Sequence, residues 1–213
     1  RTPLALMQAQ LELFSAEHTD VLPETAEFLL LLREQTERLT QMTKTLLEMS
    51  NLQAVPRDDC IELAPLADEI VTDLTPLAQK KQITLHQECE DIHIIGSDAL
   101  IYRMLFNLVE NAIKYNKENG WVHVSLNADH KYFYLKVADS GIGIPKEDTD
   151  HIFERFFRVD KSHSREIGGT GLGLSIARNA VVMHRGAIKV YSEPGEGTTF
   201  TVRIPLTYIK REG

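Results

Sequence analysis

Apolar positions in the first fifty residues recur at steps of three and four. Leu4, Met7, Leu11 and Phe14 follow one such run, and Phe28, Leu32, Gln35, Leu39, Met42, Leu46 and Met49 follow a second without a slip. Both runs predict helices, and the polar stretch Glu17–Pro23 predicts the turn between them. The second run is a heptad seam, with Gln35 as a polar residue able to fix register. A helical hairpin cannot bury such a stripe alone. Pairing two hairpins gives a dimeric four-helix bundle; packing on the chain's own second domain is the other way to cover it.

The pattern changes near Asn51–Asp59, where Pro56 and the charged Arg57-Asp58-Asp59 form a linker. The organisation expected is a hairpin over residues 1–55 and a second domain over 56–213. In that domain Leu66–Lys81 predicts a helix interrupted near Pro76. Ile83–Gln87 and Ile92–Ile95 predict short strands, and Asp98–Tyr115 a helix with Ile101, Met104, Leu105, Leu108 and Ala112 at helical spacing. Val122–Leu126 and Tyr132–Val137 predict a hairpin. Thr170–His184 predicts a helix, and Ala187–Tyr191 and Thr199–Ile204 the last strands. Strands mixed with helices, without strict alternation, point to the α+β class, with an α/β sandwich whose helices cover one sheet face.

Composition narrows the options. The chain has 213 residues, 43% hydrophobic and 25% charged, which is ordinary for a soluble globular chain. A net charge of −8 argues against a general nucleic-acid binder. Cys60 and Cys89 are too few for a disulfide framework. The eight histidines show no metal-ligand spacing. No apolar stretch approaches the roughly 20 residues that span a bilayer, and no signal-peptide pattern is present.

Candidate chemistry lies in five short motifs. Gly168-Gly169-Thr170-Gly171-Leu172-Gly173 opens an apolar helical run. A glycine-rich loop at a helix start brings backbone N–H groups and the positive helix end to a phosphate, though such starts also occur as plain turns. Asn107, Asn111 and Lys114 fall in one stripe bordering the apolar face of their helix. Two amide oxygens and an ammonium there suit a metal ion and phosphates, or else a solvated helix edge. Asp139 continues the inward parity of Phe133, Leu135 and Val137, so its carboxylate needs a hydrogen bond. It either caps nearby backbone or accepts from a ligand such as an adenine amino group. Gly141 and Gly143 beside it let backbone pass close to that ligand. Phe153-Glu154-Arg155-Phe156-Phe157-Arg158 is a dense aromatic cluster that predicts local packing. The polar stretch Val159–Ile167 after it reads as a mobile lid over phosphates or as a solvated loop. Gly195-Glu196-Gly197 is a tight turn between strands.

This ordered set resembles the ATP-binding domain shared by sensor histidine kinases, Hsp90-type chaperones, MutL-type repair proteins and type II topoisomerases. Asn107–Tyr115 resembles the N box, Asp139–Gly143 the G1 box, Phe153–Arg158 the F box, Gly169–Gly173 the G2 box and Gly195–Gly197 the G3 box. The F box is particular to the histidine kinases. Arg1-Thr2-Pro3-Leu4 resembles the second half of the motif His-Glu-Leu-Arg-Thr-Pro-Leu that carries their phosphoaccepting histidine.

The resemblance implies the kinase core of a bacterial two-component sensor histidine kinase, with ATP and Mg2+ as cofactors. Asn111, helped by Asn107, would hold magnesium, and Lys114 and Arg158 would meet the phosphates. Tyr115 would line the base or ribose. The backbone of Gly169, Thr170, Gly171, Leu172 and Gly173 would cradle the phosphates, and Thr2 matches the polar position used in dephosphorylating the partner. The acceptor histidine would lie three positions before Arg1, so this chain would not phosphorylate itself. The implied partners are a second copy of the chain and the receiver domain of a response regulator, with no nucleic acid. The chain would be the cytoplasmic part of a membrane-anchored parent, its anchor upstream. A non-catalytic nucleotide switch and an anti-sigma-factor serine kinase of the same superfamily are the competing readings. Met183-His184-Arg185-Gly186 departs from the family's common His-Gly-Gly, with no loss of binding expected.

Overall fold

The computed structural model describes residues 2–17, 22–51, 55–159 and 170–207, and omits the side chains of residues 2, 3, 17, 38, 41 and 44–51. The chain forms two compact units, Arg1–Gln53 and Ala54–Gly213.

The first unit is a hairpin of α1 (Thr2–Glu17) and α2 (Pro23–Asn51). Pro23 sits at the first helical position, where its missing N–H costs nothing. Met7, Gln10, Leu11 and Phe14 of α1 face Leu29, Leu32 and Thr36 of α2. Thr36 is buried, and its hydroxyl is satisfied by donating to Leu32 O at 2.7 Å. Of the seam residues whose side chains are described, Leu32 lines this inner face and Met42 is half-buried, while Phe28 and Leu39 are 60% and 51% exposed. Steps of three and four generate two neighbouring stripes on such a helix, and the hairpin uses the one beside the seam. Leu46 and Met49 lie outside the side chains described.

The second unit contains β1 (Asp59–Glu62), α3 (Leu63–Lys80), β2 (Thr84–Cys89), β3 (His93–Gly96), α4 (Asp98–Lys114), β4 (Trp121–Ala128), β5 (Tyr132–Asp139), α5 (Gly173–Met183), β6 (Ala187–Glu193) and β7 (Gly197–Pro205). β1 and β3 pair antiparallel, and the other five strands form one sheet in the order β2-β4-β5-β7-β6. β2 and β4 run parallel; the remaining neighbours are antiparallel. Alternate residues of the central strands are buried: Val122, Val124 and Leu126 on β4, Phe133, Leu135 and Val137 on β5, Phe200, Val202 and Ile204 on β7. They meet the apolar stripes of α3, α4 and α5. The opposite sheet face is polar and open, with Arg203 stacked over Tyr132 at 4.7 Å.

The sequence expectations need three corrections here. α3 runs unbroken through Pro76, with Leu74 and Ala78 buried on either side of it. Burial of that continuous stripe offsets the roughly 3 kcal/mol that an interior proline costs. α5 begins at Gly173 and not at Thr170, because Gly171 takes φ +71°. β1 was not expected at all; its four residues lie in a charged stretch with only Ile61 inward.

Candidate functional site

α4 carries the first half of the site. Its buried positions Leu100, Ile101, Met104, Leu105, Leu108 and Ala112 leave Asn107, Asn111 and Lys114 half-buried along the rim. Asn107 donates through Nδ2 to Arg103 O at 2.8 Å. That bond turns Oδ1 away from its own helix and toward the start of α5, where a Cβ on Gly173 would stand 3.0 Å from it. Lys114 pairs with Glu110 at 2.8 Å, a partner that spacing alone did not bring out. The ammonium of Lys81 donates to Lys114 O and caps the helix end.

Asp139 ends β5, the central strand, and is 8% exposed. Gly141 N–H donates to its Oδ1 at 2.8 Å and Thr198 N–H to the same oxygen at 3.2 Å. Oδ1 therefore caps the backbone, and no hydrogen bond to Oδ2 is seen among the described residues. Burial pushes the carboxyl up to about 6, against the two N–H donors, which pull it down. The folded value exceeds the unfolded one, near 3.8. The native state then holds more protons between about pH 4 and pH 6, and stability falls as pH rises through that window. Asp139→Asn is expected to raise stability above pH 6 by about 1–2 kcal/mol. Thermal melts from pH 4 to 8 should show that gain shrinking toward pH 4.

The glycines beside Asp139 are required by packing. A Cβ on Gly141 would collide with the carbonyl of Tyr115, and one on Gly143, at φ +71°, with the carbonyl of Glu193. Ile142 N–H donates to Tyr115 O at 3.0 Å, and Gly195 N–H to Ile142 O at 2.7 Å. The turn after Asp139 is thus docked between the end of α4 and the β6–β7 turn.

Asn116 holds this junction, and sequence reading missed it. It is 6% exposed. Its Nδ2 donates to Ala112 O and Trp121 O at 3.1 and 3.0 Å, while Oδ1 accepts from Lys117 N–H and Ser140 Oγ at 2.9 and 3.1 Å. Every hydrogen-bonding position of the amide is used. The only signal in the sequence is an asparagine just past a helix end, which any turn could explain.

The second half of the site is the glycine loop. Phe156 N–H donates to Gly171 O at 2.9 Å, so the aromatic motif is hooked onto the loop. Phe156 takes φ +66°, a strained conformation for a bulky residue. It is 43% exposed and departs from the packed cluster expected, whereas Phe153 meets Phe200 edge-on at 6.2 Å and Phe157 packs against His151 at 5.7 Å. Gly171 cannot carry a side chain, since a Cβ would fall 2.8 Å from the backbone of Phe156. Leu172 is fully buried, and the α5 N-terminus follows it. Arg158 is half-buried beside the hook, and Thr170 is half-buried at the loop. Gly169, the expected lid after Val159 and the side chain of Thr2 lie outside the described residues.

α4 joins the two halves. Tyr115 at its end meets the turn after Asp139, and Asn107, about 12 Å back along the axis, meets the start of α5. Asn111 lies between them. Among the described residues no cluster of three or more His, Cys, Asp or Glu could hold a metal. The α4 rim offers the amide oxygens of Asn107 and Asn111 and, beside them, the carboxylate of Glu110, and magnesium accepts such oxygen ligands while keeping waters.

Comparison with known proteins places this geometry. Residues 96–208 match the family described as histidine kinase-, DNA gyrase B- and HSP90-like ATPase. The chain is 36% identical over 211 residues to the sensor-like histidine kinase SenX3 of Mycolicibacterium smegmatis, covering 96% of this chain and 54% of that protein. It is 34% identical over 218 residues to the sensor histidine kinase WalK of Bacillus subtilis, covering 96% of this chain and 34% of that protein. The chain thus spans from about a third to about half of these relatives' length. The catalytic domain of histidine kinase ThkA superposes with a TM-score of 0.63 at 30% identity, covering 72% of this chain and 100% of ThkA's. Full-length ShkA, solved with AMPPNP, shares the fold over 99% of this chain and 44% of its own, with a TM-score of 0.73 at 24% identity. The chain belongs to the histidine kinase-, DNA gyrase B- and HSP90-like ATPase family, and its helical hairpin followed by that ATP-binding domain is the kinase core of a two-component sensor histidine kinase.

Proposed function

We propose that this core binds Mg-ATP along α4 and delivers its γ-phosphoryl group to a histidine upstream of Arg1. The observation that carries the reading is the remaining oxygen of Asp139. It sits at the end of α4, while the glycine loop meets the same helix about two turns back. In this reading Oδ2 accepts from the adenine amino group, and Tyr115 lines the base or ribose. Asn111 and Asn107 hold magnesium, whose charge neutralises the phosphates. Lys114 turns from Glu110 toward them, joined by Arg158. The backbone of Gly169, Thr170, Gly171, Leu172 and Gly173, with the N-terminus of α5, cradles the chain of phosphates. Phosphoryl transfer is mostly positioning and charge stabilisation, so the domain needs no nucleophile of its own. The phosphoryl group then passes to an aspartate on a response regulator docked at the hairpin, and Thr2 takes part in the reverse reaction. No helix among the described residues is long and apolar enough to cross a membrane; we place the anchor of a membrane-bound sensor upstream. Calorimetric titration of ATP with and without Mg2+ tests the nucleotide site, and absence of binding in both would refute it.

The hairpin supports a homodimer. Leu6, Leu13, Phe28, Leu31 and Leu39 all expose more than half of their surface. A second hairpin would cover them as a four-helix bundle. Sedimentation should give twice the chain mass at micromolar concentration, and Phe28→Asp combined with Leu39→Asp should give monomers. A wild-type monomer at that concentration would remove the bundle from the account.

A further inference from the structure

His184 lies just past α5 and is 2% exposed. Two hydrogen bonds define its ring. Nδ1 lies 2.8 Å from Ala180 O, and Ser97 N–H donates to Nε2 at 2.9 Å. A carbonyl only accepts, so Nδ1 carries the proton; an N–H only donates, so Nε2 is bare. The neutral ring in this one tautomer satisfies both partners. Burial, reinforced by Arg57, pushes its pKa down and so favours that neutral form.

The bond spans two helices. Ser97 is the N-cap residue of α4 and is 1% exposed. The far end of α5 is therefore pinned to the near end of α4. At the other end of α5, Gly173 meets Asn107, about 15 Å further along α4 from Ser97. α4 and α5 thus pack antiparallel, with His184 at one end of the pair and the proposed phosphate elements at the other. α5 has 11 residues, a rod of about 16 Å, so a pivot at one end displaces the other. The fit around the ring is tight: a Cβ on Gly96 would stand 2.8 Å from Nε2 and 2.9 Å from Cδ2.

We propose that His184 is a positioning residue for the phosphates: by holding α5 in register on α4, it sets the glycine loop against Asn107. This rests on the nucleotide site proposed above. The base pocket at Asp139 belongs to β5, the end of α4 and β7, which the bond does not hold. The two parts of the ligand should therefore respond differently.

The test compares ATP and adenosine binding to wild type, His184→Ala and His184→Gln. Alanine leaves the buried Ser97 N–H without a partner; the glutamine Oε1 can accept from it. His184→Ala is expected to weaken ATP about tenfold and adenosine less than about twofold, with His184→Gln recovering most of the ATP affinity. Should His184→Ala fail to fold, Gly96→Ala displaces the ring without removing it and should give the same split. Nitrogen NMR of the histidines should show His184 neutral with the proton on Nδ1. A folded variant with wild-type ATP affinity, or with equal losses for ATP and adenosine, would overturn the proposal. A wild type that binds no ATP would sink the nucleotide-site reading and this proposal with it.

Discussion

Asp139→Ala is expected to weaken Mg-ATP binding by at least about 100-fold while leaving the protein folded. The loss has two sources. The Oδ2 acceptor for the adenine amino group disappears, and a hydrogen bond to a charged acceptor contributes about 1.5–3 kcal/mol. The N–H groups of Gly141 and Thr198 also lose the Oδ1 that fixes the turn. Folding should survive, since a buried carboxylate with a raised pKa is itself a cost to the native state. Asp139→Asn separates the two sources. It keeps an acceptor for both N–H groups but can turn an amide donor toward the base, so affinity should stay low although stability rises. Calorimetry on the three proteins tests this; equal affinity in wild type and Asp139→Ala would remove adenine from this pocket.

Asn111→Ala is expected to lower phosphoryl transfer by about 100-fold or more, a loss of the size seen when one charge-stabilising group is removed. The side chain is half-buried on the α4 rim between Asn107 and Lys114, where magnesium would sit. Its removal should abolish the Mg2+ dependence of ATP affinity. Binding without the metal should change little, because Asp139 and the glycine loop are untouched. A variant that keeps its Mg2+ dependence and transfers at the wild-type rate would take Asn111 out of the metal site.

The inward aim of Asp139 was legible because Phe133, Leu135, Val137 and Asp139 share one parity along β5, and all four are buried. The use of its oxygens was not, because one partner, Thr198, lies 59 residues on and arrives only when β7 pairs with β5. The glycine pattern was legible as a motif, but the packing it serves was not. Gly141 and Gly143 yield to Tyr115 and Glu193, contacts that no local pattern carries. The hairpin was legible as two amphipathic helices. Which apolar stripe faces inward was not, since adjacent stripes on α2 obey the same steps. Thr36 on the inner face looks polar in sequence and becomes compatible only through its bond to Leu32 O. Asn116 and His184 were hidden for a related reason: each gains its role from partners on another element.

The most direct test of the central claim is labelling with γ-labelled ATP. Three proteins are needed: the present chain, a longer chain beginning upstream of the expected histidine, and the longer chain carrying Asn111→Ala. Transfer needs the acceptor within roughly 3–3.5 Å of the phosphoryl group, so the histidines of the present chain should not substitute. The account predicts acid-labile label on the unmutated longer chain alone. Acid-labile label on the present chain would place the acceptor elsewhere, and a longer chain that binds ATP yet stays unlabelled would contradict the kinase reading.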